Sequence, residues 1–171
     1  MTGGTGIADD EATAAVSAVI DRWVARELAG DGPLVAADRP AEGDPVTGAP
    51  RWYLRLRGEE REFVTVWLTL RQRTLRHECQ FMPAPETDPE ATYAYLLRRN
   101  ADLFGMAFAI GPEDAIYLVG RVPYDRVDDD ELDRIVGASL AYCDDYFPTA
   151  MSLGFAGRYR RRPPAGRPAA G

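Results

Sequence analysis

The sequence predicts an α+β domain, a twisted antiparallel sheet flanked by helices in the order α-β-β-β-α-β-β-α. Three observations carry this reading. Three runs between residues 52 and 81 alternate apolar with polar residues and are joined by short turns. Apolar residues recur at three- and four-residue spacing over 9–28, 88–99 and 128–147. Two further strand-like runs, 104–110 and 115–119, lie between the second and third helical stretches.

The chain of 171 residues fits one domain over 9–156, with frayed or disordered ends at 1–8 and 157–171. The first helix carries Ala12, Val16, Val19, Ile20 and Trp23 on its apolar side and ends at Gly30-Asp-Gly-Pro. Residues 30–50 are rich in Gly, Pro, Ala and Asp and read as a long loop, within which a short element is expected near Leu34-Val35-Ala36.

Trp52, Leu54 and Leu56 then alternate with Tyr53, Arg55 and Arg57. The run 63–70 is β-branched and aromatic throughout, the strongest strand signal in the chain. Leu75, His77, Cys79 and Phe81 alternate with Thr74, Arg76, Glu78 and Gln80. The short connections make this an antiparallel meander, with one apolar row on a core and an arginine-rich row facing solvent.

Asp88 and Pro89 start the second helix as N-cap and first helical residue, and Tyr93, Leu96 and Leu97 form its stripe. Gly111-Pro-Glu-Asp114 joins the fourth and fifth strands. Asp128 caps the third helix, with Glu131 expected as its capping-box partner, and Pro148 is expected to end or kink that helix. Asp144 and Asp145 then fall near its C-terminal end, where the dipole disfavours them; a partner arginine, or exposure alone, accounts for them.

Composition narrows the chemistry. All 20 basic residues are arginine, so Schiff-base catalysis, pyridoxal attachment and a P-loop lysine are excluded. A net charge of -7 argues against a general nucleic-acid binder, and the tail arginines Arg158, Arg160, Arg161, Arg162 and Arg167 need no more than solvent. With only Cys79 and Cys143, and with no basic-then-apolar leader at Met1, a reducing, cytoplasmic setting is expected. His77 with Cys79 offers two ligands where a structural zinc needs four, so no metal or cofactor is expected. The Asp128-Asp-Asp-Glu131 cluster has an immediate structural role at a helix start.

Two features suggest a partner surface. The strand 63–70 is apolar on both faces, with Phe63 and Trp67 opposite Val64, Val66, Leu68 and Leu70, so the second face calls for a cover: the long loop, the protein's own helices or another chain. The fourth strand sets a large row (Phe104, Met106, Phe108, Ile110) against a small one (Gly105, Ala107, Ala109).

The stretch Leu-Leu-Arg-Arg-Asn-Ala-Asp-Leu-Phe-Gly-Met-Ala-Phe-Ala-Ile, followed by Asp-Ala-Ile-Tyr-Leu-Val-Gly-Arg-Val-Pro and Asp-Glu-Leu-Asp-Arg-Ile-Val-Gly, resembles the actinobacterial branch of the YbjN-like family. The resemblance implies the type III secretion chaperone-like fold, frequent dimerisation, a protein-binding or regulatory role and no catalytic residues. The expectation is therefore a homodimeric, non-enzymatic protein-binding domain whose candidate contact residues are Trp52, Phe63, Trp67, Met106 and Phe108. The alternative is a small-molecule-binding protein or enzyme with a pocket near His77.

Overall fold

The computed structural model describes residues 4–163. Helix α1 (Gly4–Ala29) buries Val16, Ile20 and Trp23, the heart of the expected stripe, and its backbone is helical from Gly4, earlier than its periodicity suggests. Strand β1 (Leu34–Asp38) follows at the position where a short element is expected. It adds a fourth strand ahead of the second helix. Only Leu34 of its five residues is buried, so period two has nothing to register there.

Strands β2 (Arg51–Arg57), β3 (Phe63–Arg71) and β4 (Thr74–Met82) form the meander. The two-residue turn between β3 and β4 holds Arg73 at φ 57. Helix α2 (Pro89–Arg99) begins as expected: the Asp88 carboxylate accepts from the Ala91 N–H at 3.1 Å.

Strand β5 (Ala107–Ile110) is shorter than the alternation implies. Gly105 sits at φ 70, a left-handed conformation that breaks the extended chain before Met106. Phe104 is thereby left outside the strand and 70% exposed. Strand β6 (Ile116–Pro123) is correspondingly longer.

Helix α3 (Asp129–Gly154) is capped by Asp128, which accepts from the Glu131 N–H at 2.9 Å. The capping box is only half made, because the Glu131 carboxylate turns instead to Arg134. Pro148 lies inside α3 and does not end it. Asp144 is therefore interior to the helix, and its carboxylate takes the N–H groups of Glu59 and Glu60, not an arginine.

The six strands are antiparallel throughout, in the order β1-β2-β3-β4-β6-β5. One face of the sheet is the core. Leu54, Leu56, Val64, Val66, Leu68, Leu75, Phe81 and Leu118 are fully buried there, together with Ile20, Ile135 and Cys143 from the helices. α1 is tied to β2 by Trp52 Nε1 donating to Asp21 (2.8 Å) and to α3 by Trp23 Nε1 donating to Asp133 (2.8 Å).

The tail expected over 157–171 falls partly outside the described residues, as do residues 1–3 at the other end. Within them, Tyr159 packs edge-on against Phe147 and Arg161 pairs with Glu60. No helix of the described residues is long and apolar enough to cross a membrane.

Candidate protein-binding surfaces

Among the described residues no helix packs on the second face of the sheet, and strand register decides what it displays. Tyr53 pairs with Trp67, Trp67 with Glu78, Glu78 with Val119 and Val119 with Ala107, one continuous row across five strands. Trp67 is half-buried between two tyrosines: the Tyr53 ring lies 6.4 Å away at 75° and the Tyr117 ring 5.9 Å away at 45°. Edge-on and tilted packing of this kind satisfies ring quadrupoles; Tyr53 and Trp67 keep partial solvent contact, while Tyr117 is 9% exposed. Phe63, at the end of β3, lies under the Arg55 guanidinium at 3.8 Å.

The neighbouring row is cationic. Arg51 pairs with Thr69, Thr69 with Arg76, and Arg76 with Arg121. The 39–50 loop folds over one end of this row. Its Asp44, 4% exposed, pairs with Arg51 and also accepts from the N–H groups of Val46 (3.1 Å) and Thr47 (2.8 Å). Burial pushes the Asp44 carboxyl up, but the Thr47 and Val46 hydrogen bonds and the Arg51 charge hold it below the usual carboxylate range. The loop also takes the Arg71 guanidinium on the Thr47 hydroxyl (3.1 Å), and Thr69 is fully buried with its hydroxyl accepting from Arg51 (2.9 Å). Tyr53, Thr65, Trp67, Arg76 and Arg121 keep solvent contact.

A second surface lies at the other edge of the molecule, where α2 meets β5. Tyr93, Leu96, Leu97, Phe108, Ala109, Ile110 and Ile116 line an apolar cavity of about 350 Å³. Leu97 and Ile110 remain 65% and 57% exposed at its rim. The outer edge of β5 is sealed at its centre by Asn100, whose amide accepts from the Phe108 N–H (2.7 Å) and donates to the Phe108 carbonyl (3.2 Å). The side chain thereby occupies the backbone groups that an added strand would use.

The five candidate contact residues thus separate. Trp52 (1% exposed), Met106 and Phe108 (6% each) belong to the core side. Phe63 and Trp67 stand on the open face. Phe108 also forms the floor of the α2–β5 cavity. The sequence reading names Ile110 in the large row of its fourth strand, but it does not single out Tyr117 or the Arg76–Arg121 pairing, and it places Leu97 in the buried stripe beside Leu96. Strand parity groups Tyr53 with Trp67. The β4–β6 pairing that brings in Tyr117 and Arg121 is a long-range property with no local signal.

His77 does not open onto a site. It lies on β4 between Leu68 and Gly120, fully buried, and neither ring nitrogen has a hydrogen-bond partner among the described residues. A Cβ on Gly120 would collide with both the Gly105 carbonyl oxygen and the His77 ring, so the imidazole is pressed against backbone. Burial, reinforced by the Arg134 charge and opposed by Glu131, lowers its pKa from 6.5 to about 4. The neutral ring behaves as a core side chain. The cavity beside it is lined by Phe104, Gly105, Arg126, Asp130, Glu131 and Arg134 among others, and His77 is not part of its wall.

Cys79 and Cys143 are both free and buried, one on β4 and one on α3. The Cys79 thiol is pushed well up by its hydrogen bond with Cys143 and by burial, which keeps it protonated and unreactive. Among the described residues no three His, Cys, Asp or Glu side chains are grouped to hold a metal ion.

Comparison with known proteins bears on this architecture as a whole. Proteins of Mycobacterium tuberculosis (strain ATCC 25618 / H37Rv) and Mycobacterium bovis (strain ATCC BAA-935 / AF2122/97), each termed uncharacterised, are 32% identical over 117 residues, or 68% of this chain and 64% of theirs. A Mycobacterium leprae (strain TN) protein is 33% identical over 108 residues, 63% of this chain and 59% of its own length. The chain therefore matches a little under two thirds of these relatives' length. Two solved structures are also similar. One is the heterodimeric complex ExoU-SpcU from the type III secretion system of Pseudomonas aeruginosa (TM-score 0.47, 16% identity, 64% of this chain and 85% of that one). The other is the Yersinia pestis type III secretion chaperone SycH in complex with a stable fragment of YscM2 (TM-score 0.46, 14% identity, 81% and 98%). Residues 36–151, which take in most of β1, all of β2 to β6, α2 and most of α3, match the YbjN family model, described as "Putative bacterial sensory transduction regulator". The chain belongs to the YbjN family.

Proposed function

We propose that this chain is a non-catalytic regulatory domain that acts by binding protein, as a homodimer joined through the α2–β5 surface. The observation that carries the reading is the pair Leu97 and Ile110, more than half exposed at the rim of an apolar cavity. Water gains nothing from such a rim, and a second apolar surface does.

The outward face of α2 supports a twofold arrangement. Glu90, Ala94, Leu97 and Arg98 fall on it at helical spacing. Two copies of α2 packed antiparallel about Ala94 set Glu90 of one copy beside Arg98 of the other, on both sides of a small residue that permits close approach. Because Asn100 occupies the edge of β5, side chains and not a continued sheet would make the contact. The two buried free thiols fit a reducing compartment such as the cytoplasm.

Light scattering after size exclusion at micromolar concentration tests the dimer. The expected mass is twice the 18.9 kDa of one chain, falling to a single chain in Leu97→Glu with unchanged circular dichroism. A wild-type monomer would remove the dimer, and a dimeric Leu97→Glu would move it to another surface.

A further inference from the structure

We propose that the open face of the sheet binds an extended acidic segment of a partner protein, its carboxylates on Arg55, Arg76 and Arg121 and its apolar side chains over Tyr53 and Trp67. The inference rests on the reading of this chain as protein-binding, and it holds whether the chain is a monomer or a dimer.

Charge is the first reason. The whole chain carries -7, yet strand register places Arg51, Arg55, Arg57, Arg71, Arg76 and Arg121 on this face against the carboxylates Asp38 and Glu78. Arg76 and Arg121 are direct cross-strand partners, an arrangement of like charges that destabilises a sheet unless anions answer it. Glu78 answers Arg76. Arg121 is exposed, with no carboxylate within 4.0 Å among the described residues.

The chain itself supplies the second reason. Asp44, at the start of a tight turn in the 39–50 loop, already lies on this face with its carboxylate on Arg51, at the end of the row that runs on through Thr69 to Arg76 and Arg121. An acidic segment from a partner would repeat that contact farther along the row. The Arg55 guanidinium lies over the Phe63 ring at 3.8 Å and has no carboxylate within 4.0 Å among the described residues, so its N–H groups can take one.

The rings argue for peptide over single-stranded nucleic acid. Tyr53, Trp67 and Tyr117 stand edge-on or tilted to one another, at 75° and 45°, and do not present parallel plates for successive bases. A polyanion would also meet the repulsion of the acidic remainder of the molecule, which a short segment of mixed acidic and apolar residues largely avoids. Crossing the four strands from β2 to β6 takes about 15 Å, so a segment of about five extended residues spans the patch.

The probe is a fluorescein-labelled peptide of about ten residues alternating Glu and Leu, beside the same peptide with Gln for Glu and an oligothymidylate of about ten nucleotides. Anisotropy reads binding. Tryptophan emission locates it, because Trp23 and Trp52 are 1% exposed and Trp67 is the tryptophan with solvent contact. The expected result is saturable binding of the Glu peptide with a shift in Trp67 emission. Affinity should fall at least tenfold for the Gln peptide, for Arg121→Glu and for Arg55→Glu, and should weaken with added salt. Equal binding of the Gln peptide overturns the proposal, as does no saturation with the Glu peptide up to about 1 mM, the weak end of specific association. Oligothymidylate binding tighter than the Glu peptide overturns it in favour of nucleic acid. A monomeric chain that still binds the Glu peptide supports it and separates its fate from that of the dimer.

Discussion

Trp52 and Trp67 sit on adjacent strands one register step apart, yet they belong to different parts of the molecule. Trp52 pairs with Leu68 and points into the core, 1% exposed, its indole N–H donated to Asp21 under α1. Trp67 pairs with Tyr53 and points the other way, half-buried among rings and arginines. Period two alone makes the difference. Tryptophan on the first face supplies folding energy. Tryptophan on the second makes ring contacts but keeps part of its apolar surface in water, and that asymmetry is the physical basis for the proposed segment-binding face.

Breaking the covered face should have the largest effect. Trp52→Ala removes a fully enclosed ring and leaves the Asp21 carboxylate without its indole donor, at a cost of about 3–5 kcal/mol read from urea denaturation.

Next comes the pH dependence that the covered face imposes through His77. Its folded pKa of about 4 lies below its ordinary 6.5, so the unfolded chain takes up the proton first as pH falls. Stability is unaffected above about pH 6.5, drops between about 6.5 and 4, and levels below that, a total of about 3 kcal/mol from this group. Asp44, held below the usual carboxylate range, adds a loss of its own toward acid. His77→Leu should flatten the histidine part of the curve, and an unchanged slope would show that the ring is not buried neutral.

Asn100→Ala should cost less, about 1–2 kcal/mol, since it removes two hydrogen bonds to Phe108 at the sheet edge. Faster amide exchange at Phe108 is the local readout. The open face should be the most tolerant. Trp67→Thr keeps β-propensity and gives up ring contacts with Tyr53 and Tyr117, about 1 kcal/mol.

The same comparison shows what the amino-acid order made legible. β3 and β4 are read correctly residue by residue because one buried row runs their whole length, Val64 to Leu70 and Leu75 to Phe81. The first helix and both capped helix starts are equally local. β1 is not, because pairing with β2 holds a strand that buries only Leu34. The alternation of large and small residues runs past Gly105 without a break, while the backbone turns there, so Phe104 reads as part of a strand it does not join.

For the surfaces, parity placed Phe63 and Trp67 on the uncovered face. It also aligned Trp52 with Leu54 and Leu56, and that alignment outweighs the bulk that makes a tryptophan look like a contact residue. Leu96 and Leu97 read as one stripe, yet neighbouring helix positions diverge by about 100°, and only Leu96 reaches the core. The Arg76–Arg121 and Trp67–Tyr117 relations arise from β4 pairing with β6 across a helix, a strand and a turn, and no window of sequence contains them.

The division between a folding face and a binding face is tested most directly by urea denaturation of Trp52→Ala and Trp67→Thr side by side. We expect Trp67→Thr to stay within about 1 kcal/mol of wild type while Trp52→Ala loses several times as much. Comparable losses in the two variants would make Trp67 a core residue and contradict the account.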